Sequence, residues 1–108
     1  IVRNMKPDQS VLAELPGRIQ NATATGKETD CVSRSFCPKL AILEDPVCGS
    51  AHCQIADYWS QVLNRKEIYA YQASKRGGYL HCELLDNHRI ALRGEAALVA
   101  IVEIVAKL

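Results

Sequence analysis

The segment EDPVCGSAH (44–52) holds the densest set of reactive groups in the chain. Asp45 and Cys48 can each give up or take back a proton, which an acid–base reaction requires. Ser50 and Ala51 stand at the start of a predicted helix, where unpaired backbone N–H groups and the helix dipole favour an anion. The 44–52 segment therefore predicts a site for a small anion, with a proton-transfer group at its edge.

Proline and glycine give this segment its predicted shape. Pro46 biases Asp45 toward an extended backbone, which keeps the carboxylate apart from the coming helix. Gly49 permits a sharp turn and leaves room for a ligand to approach the backbone. The same residue types also form an ordinary turn with Ser50 as the helix N-cap, and this purely structural interpretation is the alternative for so short a motif.

Periodic patterns predict the elements that position the segment. Apolar side chains recur at helical spacing in SAHCQIADYWSQVL (50–63), with Tyr58 and Trp59 predicted to face the core. Period-two alternation predicts strands in DCVSRSF, EIYAYQAS, YLHCELL and HRIALRG, the last two joined at a turn. One main helix among several strands predicts an α/β fold of the α+β type, in which a mixed sheet curls around the central helix.

Composition restricts the classes of function. A chain of 108 residues is one domain by size, and its formal net charge of +1 gives no electrostatic reason to expect nucleic acid or an anionic membrane as partner. Five cysteines without a CxxC pair favour free thiols in a cytoplasmic protein over a disulfide-framed secreted one. The apolar run AALVAIVEIVA (96–106) is too short to span a bilayer, so we expect a buried helix or strand there.

A metal site is the main alternative chemistry. Its candidate ligands are Cys48, His52 and Cys53, with His81 and Cys82 further along the chain. Structural zinc sites draw on closely spaced Cys or His pairs, and the adjacent residues His52 and Cys53 point in different directions on a helix. We therefore predict no metal.

A series of motifs resembles the C-terminal half of the phenazine-biosynthesis PhzF family, which has the diaminopimelate epimerase fold. In chain order the motifs are RNMKPD, ATATG, DCVSRSFCP, EDPVCGSAH, YQASKRGGYL and RIALRGEA, and they cover nearly the whole chain. The resemblance implies an isomerase that relocates a proton on a small carboxylate-bearing metabolite without a cofactor. It also implies two similar domains that face each other, of which residues 1–108 correspond to one, with the N-terminal domain absent.

The resemblance assigns roles to particular residues. Asp45 matches the acidic residue of the family's EDPxxGSA motif and Ser50 matches its serine, and both line the cleft in characterised relatives. Cys48 stands where many relatives have threonine and where epimerases of this fold carry a catalytic cysteine, although simple packing is its alternative. These three are the predicted catalytic residues. The family's principal proton-shuttling glutamate belongs to the other half, and Glu44 lies on the wrong side of the motif to replace it.

A second set of residues is predicted to bind the substrate. They are five residues that offer backbone N–H groups and one that offers a guanidinium: Gly49, Ser50, Ala51, Gly77, Gly78 and Arg34. A structural salt bridge is the alternative for Arg34. A plain loop between strands is the alternative for Gly77 and Gly78.

Three functions stay open at this point. The chain can be half of an isomerase whose N-terminal half is missing, and inactive alone. It can be a natural half that pairs with itself, since a homodimer would place two copies of the 44–52 segment across one cleft. It can also be a non-catalytic module that binds a small anion or a protein.

Overall fold

The structure is a computed structural model that describes residues 1–107, and its two helices and six strands confirm the predicted α+β class. The helices are α1 (Gln9–Glu14) and α2 (Gly49–Leu63). The strands are β1 (Gln20–Thr25), β2 (Cys31–Cys37), β3 (Ile42–Asp45), β4 (Glu67–Gln72), β5 (Gly78–Leu85) and β6 (Arg89–Arg93). Short 3₁₀ turns lie at Val2–Asn4 and Pro38–Leu40.

All six strands form one mixed sheet. The strand order is β1-β2-β4-β5-β6, and β3 pairs with β2 outside this path. Only the β2–β4 pair is parallel among the described strands. β4 pairs with residues 31–33 of β2, whereas β3 pairs antiparallel with residues 35–37. Because β3 and β4 approach β2 from opposite directions, their C-terminal ends meet near its middle.

The helix α2 supplies one side of the core. It contacts β2, β4, β5 and β6, as expected for a sheet around one main helix. Ile55 and Trp59 are buried on its inner side, against a sheet surface that includes Ile68 and Leu80. The indole Nε1 of Trp59 also donates to the Thr23 hydroxyl at 2.9 Å, which ties α2 to β1. Burying one such large apolar side chain contributes about 1.5–3 kcal/mol.

Two details of α2 differ from the prediction. The helix begins at Gly49, so the N-cap is Cys48, with extended dihedrals of φ −100° and ψ 105°. The prediction of Ser50 as N-cap is therefore wrong, because Gly49 already adopts the helical conformation. The prediction that Tyr58 faces the core is also wrong. Its side chain is 55% exposed, while the next residue, Trp59, is buried.

The C-terminal run does not form the buried element that its composition predicted. Residues 94–107 have no helix or strand. Leu98, Val99 and Ile101 are 81%, 92% and 90% exposed. Apolar side chains become buried only against a covering surface, and no other part of residues 1–107 covers these. No helix within residues 1–107 is long and apolar enough to cross a membrane.

All five cysteines are free thiols. Burial is the main reason that the pKa of Cys31 rises to about 12 and that of Cys82 to about 11. Both thiols therefore stay protonated at neutral pH and act as small apolar core residues.

Arg34 joins three segments of the chain. Its Nε and Nη2 donate to the two carboxylate oxygens of Glu44 at 2.7 and 2.9 Å. Its Nη1 donates to the carbonyls of Met5 at 2.6 Å and Val2 at 3.3 Å. The Arg34 and Glu44 side chains are only 12% and 23% exposed. These contacts match the salt-bridge alternative, so Arg34 does not enter the site proposed below.

We predict that Arg34→Lys lowers the free energy of unfolding by about 1–2 kcal/mol, because an ammonium cannot replace a bidentate guanidinium. Urea unfolding measures this change. The matched control is Arg93→Lys. The side chains of Arg93 and its partner Glu83 are 55% and 33% exposed, so this change should lower the free energy of unfolding by less than about 0.5 kcal/mol. Equal losses in the two variants would contradict a structural role specific to Arg34.

Candidate active site

The meeting of β3 and β4 positions the 44–52 segment. Asp45, the last residue of β3, pairs with Ser35, and Gln72, the last residue of β4, pairs with Ser33. From Asp45 the chain crosses a two-residue bend before α2 begins. The N-terminus of α2 is therefore placed against the middle of the sheet by two converging strands.

Two buried side chains hold the peptide groups of Cys48. Its N–H donates to Oε1 of Gln72 at 2.7 Å. Its carbonyl accepts from Nδ1 of His52, also at 2.7 Å. Gln72 and His52 are both 0% exposed. Because the two partners come from β4 and α2, the N-cap residue is fixed relative to both sheet and helix.

The ring of His52 has one consistent protonation state. A carbonyl oxygen only accepts, so Nδ1 carries the proton, and Nε2 accepts from the Ser33 hydroxyl 3.2 Å away. Burial lowers the pKa of His52 below its usual value, although the bond to the Cys48 carbonyl acts in the opposite direction. His52 is therefore neutral near pH 7 and supports the N-terminus of α2.

The N-terminus of α2 opens into a cavity of about 850 Å³. Gly49, Gly77 and Gly78 line it together with Arg76, while Glu95 adds a negative charge to the wall. A Cβ built on Gly49 would meet no atom closer than Cδ1 of Leu92, at 3.9 Å. The backbone at Gly49 is thus accessible, as predicted, although the helix and not a sharp turn begins there.

The other predicted binding residues lie elsewhere. Ser50 and Ala51 line a separate cavity of about 430 Å³ with Arg18 and Gln54. The first turn of α2 therefore separates two cavities, each with an arginine in its wall. Arg34 lines neither of them.

The predicted catalytic residues Asp45 and Cys48 are close to α2 but line neither cavity. Cys48 is 6% exposed and belongs to the hydrophobic core, with its Sγ 3.5 Å from the hydroxyl oxygen of Ser50. These contacts match the packing alternative for Cys48. Asp45 is half-buried. Burial, followed by the nearby Cys48 and Asp45 groups, raises the pKa of Cys37, which places these three residues in one cluster.

Two residues of the site, Arg76 and Gln72, were not predicted, and His52 was considered only as a metal ligand. Arg76 precedes the predicted Gly77-Gly78 pair, and its charge next to two glycines was a usable signal. Gln72 contacts Cys48 and His52 contacts Ser33 across separate elements, which no local pattern reveals. Within residues 1–107, no group of three or more His, Cys, Asp or Glu side chains could hold a metal ion.

These features define a small mixed-sheet domain whose main helix presents its N-terminus to ligand-sized cavities. The family model for phenazine biosynthesis-like proteins (PhzC-PhzF) matches residues 1–101, so the chain belongs to this family.

Individual relatives agree with this assignment. An uncharacterised isomerase of Pseudomonas aeruginosa is 48% identical over 99 residues, which is 92% of this chain and 38% of the relative. A phenazine biosynthesis-like domain-containing protein of Homo sapiens is 49% identical over 70 residues, 65% of this chain and 24% of its own length. A crystal structure of a PhzF-family protein from Enterococcus faecalis superposes with a TM-score of 0.76 at 46% identity, over 90% of this chain and 40% of that one. The chain therefore spans between about a quarter and two-fifths of the length of the proteins it matches.

We predict that the stability of the fold decreases with acidification because of His52. Its pKa is lower in the folded than in the unfolded chain, so the unfolded chain binds the proton first. The contribution is fully present above the unfolded pKa of about 6.5 and is lost as pH falls through the folded pKa, at up to about 1.4 kcal/mol per pH unit.

Urea unfolding between about pH 7.5 and pH 5 measures this slope. His52→Asn should flatten it, while His88→Asn, the same change at an exposed position with φ 56°, should leave it intact. An unchanged slope in His52→Asn would contradict the assignment.

Proposed function

We propose that this chain is one half of a cofactor-independent isomerase that moves a proton on a small carboxylate-bearing metabolite. The observation that carries the proposal is the N-terminus of α2, which opens into a cavity lined by Gly49, Arg76, Gly77 and Gly78. The first N–H groups of a helix lack partners inside the helix, and Cys48 makes no side-chain capping bond to them. Helix dipole and guanidinium together favour a carboxylate.

Family membership supports the reaction class. A relative at 48% identity is named as an isomerase, although the present chain corresponds to 38% of its length. In the proposal, Asp45 exchanges the proton, and the N–H groups of Gly49 to Ala51 hold the carboxylate at the first turn of α2, between the cavity that Gly49 lines and the one that Ser50 and Ala51 line. The Ser50 hydroxyl helps to orient the ligand, and Cys48 packs beneath it.

A second surface must complete such a site. The chain covers two-fifths or less of its relatives, and its C-terminal run exposes Leu98, Val99, Ile101 and Ile104 by 81% to 92%. Contiguous exposed apolar side chains are typical of interaction surfaces. We propose that a second copy of the chain, or a separate N-terminal half, supplies the opposing wall.

A non-catalytic anion-binding module is the second candidate. One observation favours it: neither cavity beside α2 is lined by Asp45 or Cys48. In that case the chain would bind a carboxylate without exchanging a proton.

Proton transfer is expected to depend on Asp45. A panel of small carboxylates incubated with the protein in D₂O is followed by NMR for loss of C–H signal. Asp45→Asn should slow exchange at least ~100-fold, as expected for loss of an acid–base group. Asp57→Asn, at an exposed position on α2, is the control and should exchange normally. Full exchange by Asp45→Asn would refute the assigned role, whereas binding without exchange in the unmodified protein would favour the non-catalytic candidate.

Self-association is expected if a second copy completes the site. Light scattering across a concentration series should show the mass rising from one to two chains. Ile101→Asp, which places a charge in the exposed apolar run, should stay monomeric because a charge at an apolar interface is costly to desolvate. A monomer at every concentration of the unmodified chain would rule out self-completion and leave the separate half.

A further inference from the structure

We propose that Gln72 is a positioning residue for this site. Its buried carboxamide is inserted between the carbonyl of Asp45 and the N–H of Cys48, and it thereby sets where Asp45 lies relative to the N-terminus of α2. The functional part of this inference rests on the function proposed above. The structural part stands on the contacts alone.

Gln72 bridges two backbone groups in the segment between β3 and α2. Its Oε1 accepts from the Cys48 N–H at 2.7 Å, and its Nε2 donates to the Asp45 carbonyl at 2.6 Å. Asp45 and Cys48 flank the two-residue bend at Pro46-Val47. The carboxamide therefore bridges the two backbone groups on either side of this bend.

The orientation of the Gln72 amide is determined by its partners. A backbone N–H can only donate and a carbonyl can only accept. In a flipped amide, Nε2 would face the Cys48 N–H and Oε1 would face the Asp45 carbonyl, so neither hydrogen bond could form. The side chain is 0% exposed, so water does not replace a lost partner readily. Only the observed orientation satisfies both backbone groups.

The same stretch of chain also braces the opposite wall of the larger cavity. The Ser74 hydroxyl donates to the Pro46 carbonyl at 2.6 Å and accepts from the Gly77 N–H at 2.9 Å. Gly77 and Gly78 line the cavity that Gly49 faces. Residues 72–78 therefore connect the 44–52 segment to the glycine-rich wall, with Gln72 as the fully buried link.

The test uses Gln72→Met, which keeps the length of the side chain but cannot make both bonds. Amide hydrogen exchange by NMR compares Cys48 with Ile55, a buried residue further along α2. We expect Cys48 to lose at least ~10-fold more protection than Ile55, since only the Cys48 N–H loses a direct partner. Equal acceleration at both amides would show a merely structural role and would overturn the proposal.

A second readout separates positioning from stability and includes a matched control. Succinate serves as the carboxylate probe, and its affinity is measured by NMR titration. Gln72→Met should weaken binding at least ~5-fold, whereas Gln61→Met, at an exposed glutamine on α2, should leave it unchanged. If the unmodified protein binds no succinate, the proposed carboxylate site fails, but the Cys48 exchange result still decides the role of Gln72.

Gln72→Glu provides a rescue and a safeguard against a poorly folded methionine variant. A protonated carboxyl group offers one donor and one acceptor, as the carboxamide does. An ionised carboxylate cannot donate to the backbone carbonyl of Asp45. The relative protection of Cys48 should therefore recover as pH is lowered in Gln72→Glu but not in Gln72→Met. The neighbouring titratable groups Asp45, Cys48 and His52 are common to both variants. Recovery in both, or in neither, would overturn the proposal.

Discussion

The peptide groups of Cys48 are where the sheet, the helix and the candidate site meet. Its N–H is held by Gln72 and its carbonyl by His52, each at 2.7 Å. Backbone polar groups that are buried without partners are costly, so the surrounding chain must supply these two contacts. It can do so because β3 and β4 end against the same strand, opposite Ser35 and Ser33. The position of α2 follows from that meeting.

Charge is distributed around α2 in a way that suits an anion. The carboxylate of Glu44, at the start of the 44–52 segment, is neutralised by Arg34 in a bidentate pair. Arg76 and Arg18 lie in the walls of the two cavities that flank the first turn of α2. An unpaired Glu44 carboxylate would repel a nearby anion, and the Arg34 guanidinium neutralises it.

Local patterns were sufficient to predict the elements with strong periodicity. The long helix and the strands β2, β4, β5 and β6 all show clear helical or alternating spacing, and the structure contains them. The short strand β3 has no such pattern in Ile-Leu-Glu-Asp and was not predicted. The N-cap was misplaced by two residues because Gly49 and Ser50 are both compatible with a helix start. The apolar run at 96–106 was expected to be buried because of its composition. Composition indicates that these side chains favour a covering surface, but it does not show whether one is present.

The candidate site was only partly accessible from sequence. Asp45, Gly49 and the Gly77-Gly78 pair were predicted because motifs and turn residues can be recognised in a short stretch of sequence. Gln72 was not, and His52 was considered only as a metal ligand, because the roles of both depend on the register of β4 against β2 and on which turn of α2 faces the sheet. The contacts of Gln72 with Cys48 and of His52 with Ser33 join positions 24 and 19 residues apart.

The proposed function depends first on whether the N-terminus of α2 binds a carboxylate. The most direct test is to titrate the ¹⁵N-labelled protein with succinate and to follow every backbone amide by NMR. We expect saturable shifts concentrated at Gly49, Ser50 and Ala51, with smaller shifts at Gly77 and Gly78. Shifts that are absent, that do not saturate, or that centre on residues far from α2 would contradict this expectation.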